Sequence, residues 1–414
     1  MASNTECAPP GSGLNPIDVS LNYLLSQVTA LTAYEEVNLP AALKRILAAP
    51  VTSTVNIPPW DNSAMDGYAI ATQDLTLKGE TRLPVSQHIP AGHVGLPLAS
   101  GTAARIFTGA PIPKGVDAVV IQEQCQREGE LVRFSVNVQP GDNIRRLGEA
   151  VKQGQEVLSK GLFVQPQHVG MAASVGVRTL SVVRRPKVAI FSTGDELVQP
   201  GQVLGEGAIY DSNRPTLEAL LEAAGCEVLD FGHAVDDVDT ITDLLGRASQ
   251  VADLIISSGG VSVGEEDHVK PAVEKLGTLL LWKIAIKPGK PLAYGTVKGT
   301  PFFGVPGNPV ALFVTFAVFI RPYILKMLSA QCIATPSYPL PLGFAWKNKG
   351  QRQEFVRVQC VTNADGKRYL MNYPNQSSGV LTSVVWADGL AVIPKDSVLS
   401  EGDTAEYWPF SALL

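Results

Sequence analysis

The chain has 414 residues, too many for one hydrophobic core, so it divides into about two to four domains. Hydrophobic residues make up 45% and charged residues 17%, which excludes general disorder and supports large buried cores. A net charge of -6 excludes a chain-wide basic surface for nucleic acid, leaving only a local basic pocket.

The opening stretch, MASNTECAPPGSGLNP, is polar and rich in proline and glycine; lacking an apolar run, it reads as a tail and not a signal peptide. From Ile17 to Leu47 the apolar spacing is helical, as in LPAALKRILAAP, with Pro50 as the stop. From Val51 to about Glu149, short β-branched runs (ARIFTGA, DAVVIQE, LVRFSV) alternate with Gly/Pro punctuation, which predicts a β-rich unit closed by a turn at Pro140–Gly141. Residues 165–176 return to a helical pattern, so the β-rich segment reads as an insertion in a helical and extended linker domain.

After Arg185 strands and helices alternate. KVAIF, EVLDFG, DLIISSGG, LLLWKIAI and PFFGV read as strands. NRPTLEALLEAAG, VDTITDLLGRASQ and VKPAVEKLG read as helices, the first with Asn213 as a candidate cap and Gly225 as its stop. This alternation predicts a parallel, helix-covered sheet with ligands beyond the carboxyl ends of its strands. PVALFVTFAVFI is too short to span a bilayer and reads as a buried helix. From about Pro336 short strands resume (EFVRVQCV, RYLMNY, GLAVIPK, TAEYWPF) as a terminal β-rich domain. The five cysteines are scattered without a CxxC pair and read as reduced thiols of a cytoplasmic protein. The histidines lack metal-ligand spacing and read as structural or surface groups.

Polar residues gather at the predicted strand ends. IFSTGDEL places Gly194 and Glu196 there, IISSGGVSVGEEDHV places Ser257, Gly259, Gly260, Ser262, Gly264 and Asp267, and GVPGNP places Pro306, Gly307 and Asn308. Glycine turns converge backbone N–H groups on an anion, a following helix N-terminus adds partial positive charge, and carboxylates beside them can hold a divalent metal. Lys283, Lys287 and Lys290 form a compact cationic cluster in WKIAIKPGKP. Taken singly, each signal has a plain alternative: a tight turn, a solvated lysine face, or, for Asp236 in HAVDDVDT, a helix cap. Their recurrence at successive strand ends favours a site.

Together PPWDNSAMDGYA, RIFTGAPIP, GDNIRRLGEA, FSTGDEL, YDSNRP, SSGGVSVGEEDHV, KPGKP and GVPGNPV resemble, in order, the motifs of molybdopterin molybdenumtransferases, the family of bacterial MoeA, the plant Cnx E domain and the gephyrin E domain. The resemblance covers nearly the whole chain. It implies a multidomain α/β subunit, elongated and homodimeric. The linker domain would comprise residues 15–57 and 151–185, the β-rich insertion 58–150, the parallel-sheet molybdopterin-binding domain 186–332 (similar to molybdopterin adenylyltransferases such as MogA), and the β-rich terminal domain 333–414.

The implied reaction inserts molybdate into adenylylated molybdopterin and releases AMP with Mg²⁺. The implied active site is a cleft between the α/β domain of one subunit and the insertion of the other. Carried over by motif, Asp61, Asn62, Ser63, Asp66, Thr108 and Arg145 are the insertion's contribution, which gives the odd DNSAMDG stretch a purpose; its plain alternative is a self-satisfied Asx turn. Glu196 and Asp267 are the implied metal ligands, with Asp236 nearby. Gly259, Gly260, Ser262, Pro306 and Gly307 would cradle the nucleotide, while Lys287, Lys290, Arg357 and Ser378 match the molybdate pocket. The adenylyltransferase and recipient molybdoenzymes are further implied partners, with neither nucleic acid nor membrane expected. Two other readings are adenylyl transfer from ATP to molybdopterin and a gephyrin-like scaffold. One departure stands out: the family usually carries an acidic pair in GDNIRRLGEA, but Ala150 follows Glu149, and activity is expected to be retained.

Overall fold

A computed structural model describes residues 13–76, 79–260 and 268–413. Ser262, Gly264 and Asp267 lie outside the described residues.

The centre of the molecule is a seven-stranded sheet in the order Leu14–Asn15, Gly277–Ile284, Pro291–Val297, Thr300–Val305, Leu254–Ser258, Lys187–Thr193, Glu227–Ala234. Along Lys187–Thr193, Val188 and Ile190 face one helical layer, with Leu217 and Val310, while Ala189 and Phe191 face the other, with Ile241 and Val269. That period-2 division lets helices cover both faces. The sheet is mixed and not wholly parallel, because Pro291–Val297 runs against both neighbours. Its link to Thr300–Val305 is the two-residue turn Lys298 (φ 48) and Gly299 (φ 87), whose positive φ values suit a tight hairpin and not a helical crossover.

The buried helix begins at Pro309 as expected and runs through Met327, 19 residues in all. By length and composition it could cross a membrane, but 89% of its apolar window is buried inside the protein, so packing on the sheet accounts for its composition.

The helical reading of 17–47 holds only for Ile17–Ser26. LPAALKRILAAP forms a single turn, Leu39–Ala42, and then runs extended. Lys44 takes φ 61, and the Lys44, Leu47 and Ala48 N–H groups donate to the carbonyls of Val164, Leu162 and Ser181. Pairing with distant chain, together with buried Arg45 held by Glu35 and the Val183 carbonyl, overrides local helix propensity. Residues from both sides of the insertion, including Leu47, Val51, Val164, Ala172 and Val182, share one core.

The insertion forms a six-stranded sheet: Ala118–Ile121, Gly67–Ile70, Ala103–Ile106, Thr81–Ile89, Leu131–Phe134, Cys125–Glu128. In the terminal unit, Gln353–Thr362 pairs with Gly389–Ile393 and Arg368–Asn372. It also pairs in parallel with Ile286–Lys287, which carries the lysine loop to the terminal sheet.

Candidate active site

Beyond the carboxyl ends of Lys187–Thr193, Leu254–Ser258 and Thr300–Val305 opens a cleft of about 810 Å³. Thr193, Gly194 and Glu196 form one wall, and Ser258, Gly259 and Gly260 continue it. Pro306, Gly307 and Asn308 form another, and Lys287–Pro291 with Arg352 and Gln376–Ser378 closes the terminal-domain side. Ligands of open α/β sheets bind in this position.

Glycine is required at the turns. Gly259 has φ 88, and a Cβ there would lie 2.8 Å from the Thr193 carbonyl oxygen. Gly260 has φ 64, and its Cβ would lie 2.2 Å from Val269 Cγ2. At Gly194 an added Cβ would meet Glu196 Oε2 at 2.6 Å, so the missing side chain makes room for that carboxylate.

The helix Asn213–Ala223 starts at the cleft, but Asn213 does not cap it. Asp211 Oδ1 accepts from the Asn213 and Arg214 N–H groups, 3.1 Å each, while Asn213 Nδ2 donates to the Gly307 carbonyl at 2.6 Å. Asp236 is not a cap either. Asp237 Oδ2 accepts from Thr240 N at 2.8 Å and starts the Val238–Val251 helix, leaving Asp236 on the cleft wall.

Lys287 Nζ donates to Glu354 Oε1 at 2.9 Å, and Trp346 Nε1 donates to Glu354 Oε2 at 2.8 Å. Lys290 and Arg352 line the same side. Arg357 does not line the cleft. It is 1% exposed, donates to the Phe355 and Ser377 carbonyls and to Ser383 Oγ, and burial pushes its guanidinium down to about 10. It therefore shapes the Ser377–Ser378 loop from beneath. Lys283 is exposed and lies outside the lining, in register with Leu14. Ser257 is fully buried below the floor.

Among the described residues, Glu196 and Asp236 are the carboxylates that line the cleft. Asp236 Oδ1 is buried without a hydrogen-bond partner, 3.1 Å from His268 Nδ1 but not aligned with it as a hydrogen bond. Among the described residues no group of three or more His, Cys, Asp and Glu side chains is arranged to hold a metal. The two carboxylates, one with an orphaned buried oxygen, fit a cation that prefers oxygen donors.

The insertion residues do not reach this cleft within one chain. Asp61 accepts from Leu147 N (2.8 Å) and Arg146 Nη1 (2.7 Å), which hold its carboxyl below the usual range despite partial burial. Asp66 Oδ1 accepts from the Thr108 N–H and Oγ1, both at 2.8 Å, and is likewise lowered. Ser63 Oγ donates to the Met65 carbonyl at 2.6 Å, and Asn62 pairs with Arg145 across two short strands. Much of DNSAMDG is thus tied up locally. Arg145 is exposed beside it. Glu149 Oε2 accepts from Arg146 N at 2.8 Å, and Ala150 is exposed.

Thr193 and Ser258, polar residues of the FSTGDEL and SSGG strand ends, line the cleft, whereas sequence reasoning passed over Asn213, Arg352 and Gln376. Asn213 stood inside a quoted motif but was read as a cap, and Arg352, just ahead of the Gln353–Thr362 strand, carried a signal only in its neighbourhood.

Residues 16–176 match the MoeA N-terminal region (domains I and II), residues 189–326 a probable molybdopterin binding domain, and residues 339–410 the MoeA C-terminal region (domain IV). The molybdopterin molybdenumtransferase of Haemophilus influenzae is 39% identical over 402 residues, covering 96% of this chain and 99% of that protein. The molybdopterin molybdenumtransferase of Nostoc is 40% identical over 386 residues, covering 87% and 85%. The crystal structure of a molybdopterin biosynthesis MoeA protein from Pyrococcus horikoshii superposes with a TM-score of 0.85 at 31% identity, covering 96% of this chain and 100% of that one. Likeness along nearly the whole length, in sequence and in fold, makes this chain a member of the molybdopterin molybdenumtransferase family.

Proposed function

We propose that this protein inserts molybdate into adenylylated molybdopterin and releases AMP, with Mg²⁺, as a cytoplasmic homodimer. The observation that carries the reading is one cleft with carboxylates on one wall, Glu196 and Asp236, and cations on another, Lys287, Lys290 and Arg352. Molybdate is a dianion and the organic substrate carries phosphates, so the two must be brought together against their repulsion. Lys290 and Arg352 offset the charge of the oxyanion, and at the Gly259–Gly260 turn, where the Gly259 N–H donates to the Val305 carbonyl, the Gly260 N–H is the donor for a phosphate oxygen. Glu196 and Asp236, with Asp267, would hold the divalent cation, which when bound neutralises phosphate charge. Ser378 completes the oxyanion pocket.

The insertion's Asp61, Asp66, Thr108 and Arg145 belong, in this reading, to the cleft of a second copy. Exposed Trp60, Met65 and Leu147 around them supply apolar surface for that contact. The adenylyltransferase that supplies the substrate and the molybdoenzymes that take the product are the expected partners.

The test is AMP release from adenylylated molybdopterin with molybdate and Mg²⁺, run beside molybdopterin plus ATP without molybdate. Molybdate-dependent AMP release in the first mixture alone is expected. Adenylylation of molybdopterin in the second would assign the sister activity instead.

A further inference from the structure

The first turn of the Asn213–Ala223 helix is tied to two walls of the cleft at once. Asp211, 2% exposed, fixes that turn by accepting from the Asn213 and Arg214 N–H groups. In one direction Asn213 Nδ2 donates to the Gly307 carbonyl at 2.6 Å. That bond also fixes the amide's orientation, since only its NH₂ can face a carbonyl. In the other direction Arg214, 8% exposed, donates through Nη2 to Gln199 Oε1 at 2.5 Å, pairs through Nη1 with Asp230, and lies 3.4 Å through Nε from Asp211. Gln199 sits on the excursion of residues 194–210, which carries Glu196. At its base the Leu197 N–H donates to the Gly194 carbonyl, Ile209 N–H to the Glu196 carbonyl, and Asp211 N–H to the Val198 carbonyl. Its outer part stands in solvent, with Val203 94% exposed, so its placement is decided at that base.

We infer that Arg214 and Asn213 are positioning residues that set the two walls separately, the first acting through Gln199 on the carboxylate of Glu196, the second on the Gly307 loop that receives the nucleotide. A buried guanidinium with partners on three elements holds its geometry better than one flexible ion pair. Gln199 is the partner that can be removed without leaving a buried charge unpaired. This inference rests on the reading of the cleft given above.

The experiment uses the full-length protein with Mn²⁺ alone and AMP alone as probes, binding being measured by calorimetry and folding by thermal unfolding. Gln199→Ala and Arg214→Lys are expected to weaken Mn²⁺ binding about tenfold, the effect of one lost hydrogen bond to a charged group, and to leave AMP binding unchanged. Asn213→Ala is expected to do the reverse. If Gln199→Ala and Asn213→Ala weaken both probes equally, or neither, the two walls are not set separately and the inference is overturned. If the wild type binds neither probe, the reading of the cleft itself fails, and this inference with it.

Discussion

Lys287 is already paired with Glu354, and that pairing decides what its removal does. Glu354 is 7% exposed, so Lys287→Ala leaves a buried carboxylate oxygen without its partner, at a cost of about 1–3 kcal/mol in urea unfolding. Lys290 stands outside that ion pair, so Lys290→Ala raises the molybdate concentration needed for half-maximal AMP release with little change in stability. Equal loss of stability in both variants would show that Glu354 does not depend on Lys287. Glu196 is exposed, so Glu196→Gln should fold normally yet lower turnover by about tenfold or more and shift its Mg²⁺ dependence; an unchanged Mg²⁺ curve would remove it from the metal site. Asp61 has a lowered folded pKa, chiefly from the Leu147 N–H, with Arg146 adding to it. Its contribution is therefore present above the ordinary carboxyl pKa and lost as pH falls through the lowered value. The stability gap between wild type and Asp61→Asn should be steady near neutral pH and close in acid. A gap that does not narrow as acid protonates the carboxyl would mean that charge is not its source.

At the scale of elements, the glycine turns are what the cleft depends on. Gly259→Ala forces a left-handed residue against the Thr193 carbonyl and should cost about 1–3 kcal/mol, with loss of AMP binding. Unchanged AMP affinity would show that this turn does not touch the nucleotide. The same turns were legible in the sequence because glycine and polar residues recur at successive strand ends, where any one turn alone would not distinguish a site. Strands and helices after Arg185 were readable for a related reason, since burial on two faces leaves a strong pattern. What was not readable depended on distant partners. LPAALKRILAAP has helical spacing, but its N–H groups find carbonyls more than a hundred residues away. Motif resemblance alone put Arg357 in the molybdate pocket, and only the loop folded over it shows that it faces the Ser377 carbonyl. The antiparallel strand Pro291–Val297 follows from a Lys-Gly turn, a signal too local to weigh against the βα rhythm around it.

At the scale of the whole molecule, the insertion contributes none of its described residues to the cleft of its own chain. Its carboxylates are held in local hydrogen bonds, and its motif lies apart from the cleft of its own chain, so its service to catalysis rests on the proposed second copy. Arg145 suits a test better than Asp61, because it is exposed, whereas Asp61 anchors the Arg146–Leu147 turn. Arg145→Ala and Glu196→Gln subunits, each purified, dissociated, mixed in equal amounts and reassociated, provide the measurement, with molybdate-dependent AMP release as the readout. If each cleft joins the α/β unit of one copy to the insertion of the other, half of the dimers are mixed and one of their two clefts carries no defect. The mixture should then recover about one quarter of wild-type activity, well above either variant alone. A mixture no more active than the average of the two variants would contradict a cleft shared between subunits.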